Sequence, residues 1–151
     1  MKVSILGGAF AALLTVSTVA NSQTWSPEQT GVWNFISSAW DRHADADTWH
    51  ELVDPSGYGW NTDYPVPTNH TTMRRRAGVF GPEGKVLFHR VDPLAIAVSG
   101  DTAIAYYFAN VVETDHAGKR KTMTERCADT LIRRSGQWRF LGWLCETKTN
   151  D

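Results

Sequence analysis

Ala128-Asp129-Thr130-Leu131-Ile132-Arg133-Arg134-Ser135-Gly136-Gln137-Trp138-Arg139 is the stretch on which the fold turns. The run up to Arg134 is strand-like, Ser135-Gly136 supplies a turn, and a strand-like run resumes at Trp138. The expectation is a hairpin with arms Lys121 to Arg134 and Trp138 to Thr147. Working back from it, His116-Ala117-Gly118-Lys119 is a turn, and Thr102 to Thr114 is a further strand. That strand sets Ile104, Tyr106 and Phe108 on one face and Ala103, Ala105 and Ala109 on the other. Both faces are apolar, so both are expected to be covered, the small-residue face by a helix. Ser99-Gly100-Asp101 turns the chain back into Lys85 to Val98, where Asp92-Pro93 marks a bulge or bend.

Upstream of Gly81 the period is helical. Ser26-Pro27-Glu28-Gln29 combines an N-cap, a proline suited to the first helical position and a capping-box partner. Val32, Phe35, Ile36 and Ala39 then recur at helical spacing to about His43. Asp45-Ala46-Asp47 caps an expected second helix over Thr48 to Val53, and Asp54-Pro55-Ser56-Gly57 reads as a turn. Tyr58 to Thr62 is a short strand, and a third helix runs from Thr68 or Asn69 to about Phe80. Three helices followed by a four-stranded meander define an α+β domain.

The 151 residues suit one domain, and the net charge of −1 gives no global field for nucleic acid or an anionic membrane. Lys2, an apolar run over Val3 to Leu14 and small residues up to Ala20 and Ser22 predict a signal peptide over 1–22, with a domain over 23–151. The apolar run is short for a membrane span, so the mature protein is expected to be secreted or periplasmic. That compartment permits a disulfide between the only cysteines, Cys127 and Cys145. An odd-length loop centred on Gly136 would place them opposite each other. A loop of two or four residues would turn them to opposite faces unless a bulge intervened.

The Ala-Asp-Ala-Asp break, Ser99-Gly100-Asp101-Thr102-Ala103 and the Ala128 to Arg139 stretch together resemble the NTF2-like superfamily, specifically its SnoaL-like or DUF4440-like branch, from about Ser26 to Thr147. The resemblance implies a cone in which three N-terminal helices pack on a strongly curved antiparallel sheet, with an apolar pocket at the open end. It also implies a homodimer through the outer sheet face. Set against the ketosteroid isomerases of this superfamily, Asp63 falls near the catalytic base and Asp129 on the late-strand acid. The first helix has no Tyr; Ile36-Ser37-Ser38-Ala39-Trp40 stands there. Many DUF4440-like chains carry a histidine pair on the last strand, where this chain has Trp143-Leu144.

Catalytic candidates are therefore Asp129, Asp63 and His89, the last an acid–base group on a strand. Each also has a plain structural reading: a paired carboxylate, a turn residue and a half-buried strand side chain. Tyr58, Trp60, Tyr106, Tyr107 and Trp143 are candidate ligand-binding aromatics, with core packing as the competing role. The five histidines show no metal-site spacing, and no cofactor is implied. Arg74-Arg75-Arg76 on a helix cannot all face one ligand. The reading is a small, mostly apolar molecule bound in the cone, with an isomerase or cyclase type of enzyme and a non-catalytic dimerisation or interaction module as alternatives.

Overall fold

The computed structural model of the chain describes residues 24–42, 49–61, 65–80, 85–115 and 117–149. The signal segment expected over 1–22, the Ala-Asp-Ala-Asp break, His43, Asp63 and His116 lie outside these residues. Helix α1 spans Pro27–Asp41, a single 3-10 turn spans His50–Leu52, and helix α2 spans His70–Phe80. The strands are β1 (Val53–Asn61), β2 (Thr68–Asn69), β3 (Lys85–Ser99), β4 (Thr102–Thr114), β5 (Arg120–Arg134) and β6 (Gln137–Thr149). They form one sheet in the order β2-β1-β6-β5-β4-β3. Every neighbouring pair is antiparallel except β1 with β6, which run parallel.

The start of α1 is as the sequence dictates. Ser26 Oγ accepts from the Gln29 backbone N–H, and Gln29 Oε1 accepts in turn from the Ser26 N–H. The same Gln29 side chain donates through Nε2 to the Ile96 carbonyl at 2.7 Å, fastening the helix start to β3. Val32, Ile36, Ala39 and Trp40 form the buried stripe of α1. It lies over the concave face of the sheet, where Ala103, Ala105 and Ala109 of β4 are buried and let the helix approach closely.

Two expectations need correction. Among the described residues there are two α-helical elements, not three; of the expected second helix, Thr48 lies outside these residues, and His50–Leu52 is a 3-10 turn that leads into β1 at Val53. Asp54-Pro55-Ser56-Gly57 is a bulged section of β1 and not a turn outside it, since the register against β6 shifts between Val53 and Tyr58. Asp54 stabilises that bulge. Its buried carboxylate accepts from Ser56 Oγ, the Ser56 N–H and Arg134 Nε. The Ser56 hydroxyl, foremost among these, holds the Asp54 pKa below its ordinary value against the opposing effect of burial.

The last hairpin closes with the two-residue loop Ser135-Gly136, both at positive φ (50° and 79°), which is the twist a two-residue hairpin turn requires. Such a loop alone would set Cys127 and Cys145 on opposite faces. A register shift between Thr130 and Leu131 adds one residue to β6, and Cys127 then pairs directly with Cys145. The two form a disulfide across a Cα–Cα distance of 4.2 Å. On β3, the bend expected at Asp92-Pro93 is a register shift between Pro93 and Ala95. Because β3 is an edge strand, Pro93 breaks no interior ladder.

Candidate functional site

Alternation along the strands divides the candidate residues between the two faces of the sheet. Tyr107 of β4 and Asp129 of β5 are buried on the concave face beneath α1. Trp143 pairs with Asp129 across β5 and β6 and shares that face. Tyr58, Trp60 and Tyr106 stand on the opposite, convex face and are 58%, 43% and 49% exposed. The five aromatics therefore do not line one pocket; only Tyr107 and Trp143 are on the side of the cone. Ile104 and Tyr106, on the face of β4 expected to be covered, remain exposed among the described residues.

Asp129 is the centre of the concave face. Its side chain is 2% exposed, and its Oδ2 accepts from the Tyr107 hydroxyl at 2.7 Å. The Tyr107 oxygen itself accepts from Trp40 Nε1 at 3.1 Å, so a hydrogen-bonded relay runs from α1 through β4 to β5. Burial pushes the Asp129 carboxyl up to about 7; the Tyr107 hydrogen bond opposes that rise and the nearby Glu125 charge adds to it. Burial, and then the Asp129 charge, push the Tyr107 phenol well above its ordinary value. Among the described residues Tyr107 is the one side chain donating to this carboxyl, and it occupies one oxygen of two.

A second titratable pair stands at the end of α1. Asp41 Oδ1 lies 3.1 Å from Nε2 of His89, whose strand position faces the Trp40 ring at 6.4 Å between centroids. The carboxylate thus fixes one ring nitrogen of His89. Asp41 carries no sequence signal for this role, because the pair spans 48 residues. Trp33 adds an edge-on contact to Tyr107 at 5.9 Å. Cys127, Cys145 and Glu125 also sit together, with ligand atoms within 4.8 Å of one another, but the disulfide leaves no thiolate to hold a metal.

Trp143 is positioned by Gly59. The two residues pair across β1 and β6, and a Cβ on Gly59 would fall inside van der Waals contact with Cγ, Cδ2 and Cε2 of the indole. The ring therefore lies flat against the β1 backbone, an approach that only glycine permits.

The α1-on-curved-sheet architecture is shared by many solved structures. A ketosteroid isomerase-like protein from Erwinia carotovora atroseptica superposes with a TM-score of 0.71 at 13% identity, covering 83% of this chain and 100% of that one. A hexachlorocyclohexane dehydrochlorinase superposes at 0.67 with 9% identity, over 82% of this chain and 89% of that one. The CaMKII hub of S. rosetta superposes at 0.65 with 16% identity, over 83% of this chain and 100% of that one. The fold is thus the NTF2-like cone, one that carries enzymes as well as an assembly domain. No family model matches the sequence, and no curated protein matches it.

Proposed function

We propose that this protein binds a small, mostly apolar molecule on the concave side of its sheet and anchors it through Asp129. The observation that carries the reading is a buried carboxyl with one oxygen held by Tyr107 and the other unused by any described side chain. A protonated Asp129 donates to a ligand oxygen, while Trp33, Tyr107 and Trp143 offer ring surface. The Cys127–Cys145 disulfide supports an oxidising compartment, so this role falls outside the cytoplasm, secreted or periplasmic, once 1–22 is removed. Thermal-shift screening of neutral ketones, phenols and carboxylic acids tests the anchor. Compounds that stabilise wild type but not Asp129→Leu, which has no donor, support it. Equal stabilisation of both proteins removes Asp129 from the site, and the absence of any stabilising compound removes the reading.

The Asp41–His89 pair favours a second reading, an isomerase or cyclase type of enzyme in which His89 moves the proton. Asp63, the other expected base, lies outside the described residues. A compound from the screen that is turned over by wild type, and not by His89→Gln, distinguishes this reading from plain binding.

The convex face favours a partner. Trp60, Leu144, Ala128, Tyr106 and Ala95 pair in one row across β1, β6, β5, β4 and β3. Tyr58, Gly142, Thr130, Ile104 and Ala97 make a second row beside it. Neither row holds a charge, and a second copy of the chain is the proposed occupant. If the concave side binds nothing, this face alone leaves the non-catalytic interaction module.

A further inference from the structure

His50 and His70 are separated by twenty positions in the sequence, in no metal-binding motif, and the fold brings them together. His50 opens the 3-10 turn and His70 opens α2. Their rings stand 5.7 Å apart between centroids at an interplanar angle of 63°. His50 Nδ1 is sealed from solvent and has no hydrogen-bond partner. A buried polar nitrogen in that state calls for an occupant.

Both supports are pinned before anything binds. Trp49, one residue ahead, stacks on Phe140 at 5.4 Å, and Arg139 Nη1 donates to the Glu51 carbonyl at 2.9 Å. On the other side, Tyr58 and Gly59 of β1 pair with Asn69 and Thr68, and Asn69 Oδ1 accepts from the Thr72 N–H at the start of α2. The two rings therefore hold their separation through the sheet, without relying on each other.

We propose that His50 and His70 form a binding site for one divalent transition-metal ion of the zinc type. With a metal–nitrogen bond of about 2.0–2.1 Å, the ion sits roughly 3.2 Å from each ring centre. Two imidazoles on one tetrahedral ion then have centres about 5.2 Å apart, and up to about 6.4 Å as the angle opens to linear. The observed 5.7 Å lies between these limits. Imidazole selects borderline ions such as Zn(II), Ni(II) and Cu(II) over Mg(II) or Ca(II), and water completes the coordination. The competing occupant is the pair itself, with the His50 N–H directed at the His70 ring.

Zn(II) alone is titrated into the oxidised, metal-free protein by calorimetry at about pH 8, where ring nitrogens are unprotonated. Wild type is expected to bind one equivalent of Zn(II), and His50→Asn and His70→Asn to bind it at least about tenfold more weakly. Failure of wild type to bind, or unchanged affinity in both single variants, overturns the proposal and leaves the ring-on-ring contact. Because either variant can lose its fold, histidine acylation by diethylpyrocarbonate is also mapped on wild type by peptide mass spectrometry. Zn(II) is expected to protect His50 and His70 together, and protection of neither sinks the site. Asp129 and the concave face play no part in this experiment, so ligand binding there stands or falls separately.

Discussion

The Tyr107 hydroxyl donates to Oδ2 of Asp129 at 2.7 Å from within the core, and the carboxyl it holds is raised to about 7. A buried acid with a raised pKa binds its proton more tightly in the folded state than in the unfolded one. Its contribution to stability is complete below the ordinary value of 3.8 and is lost as pH rises through about 7. The full span is on the order of 4 kcal/mol. Urea denaturation of wild type is expected to show stability falling between these two pH values and levelling above. Asp129→Asn, neutral at every pH, should flatten the curve and exceed wild type at about pH 8. Parallel curves for the two proteins would show that Asp129 titrates as an ordinary surface acid.

Gly59 and Trp143 make a second, steric prediction. Gly59→Ala forces the indole off the β1 backbone and is expected to cost about 1–3 kcal/mol by overpacking. The cost should largely disappear in a Trp143→Ala background, where no ring opposes the new methyl. Thermal melts of the four proteins form the cycle. Simple additivity would mean that the ring has room to move aside.

Much of this arrangement is legible in the order of the residues alone. The Ser26–Gln29 cap is local chemistry, and the alternation of β4 correctly puts its alanines under a helix. What escapes the sequence is non-local. The parallel pairing of β1 with β6 joins segments about eighty residues apart, and the extra β6 residue that aligns Cys127 with Cys145 has no turn signal of its own. Searching α1 for a Tyr also misses the phenol beside Asp129, because it arrives from β4 as Tyr107. His89 is a candidate from the sequence alone, yet Asp41, which lies 3.1 Å from its ring, is found only once α1 is laid against β3.

The disulfide gives a third prediction. Cys127–Cys145 closes a loop of sequence separation 18, worth about 3 kcal/mol through restriction of the unfolded chain. The paired Cys127→Ala/Cys145→Ala variant is expected to fold with its denaturation midpoint lowered accordingly. Thiol counting on denatured, unreduced protein should find none free. Two reactive thiols per chain would show that the cross-strand pair is not closed in the protein as isolated.

The convex face supplies the fourth. Tyr58, Trp60, Ile104, Tyr106 and Leu144 are all more than a third exposed; they stand on three strands, β1, β4 and β6, in the two uncharged rows that cross the sheet. A monomer gains nothing from holding so much apolar surface in water, whereas pairing two such faces removes it from both chains. A dimer of ordinary size needs about 800 Å² from each partner, so the two rows would form the apolar centre of a larger contact. Charges stand beyond the rows, with Arg126 paired to Glu146 and Arg90 to Asp92, as expected at a polar rim. Light scattering of wild type at micromolar concentration is therefore expected to give twice the chain mass. Tyr106→Lys combined with Leu144→Lys should give the monomer, because each buried ammonium would lack a partner of opposite sign in the two rows. Neither side chain supports the concave core, so the circular dichroism spectrum should be unchanged. A wild-type protein that is already monomeric would leave this face to a different partner and end the homodimer reading.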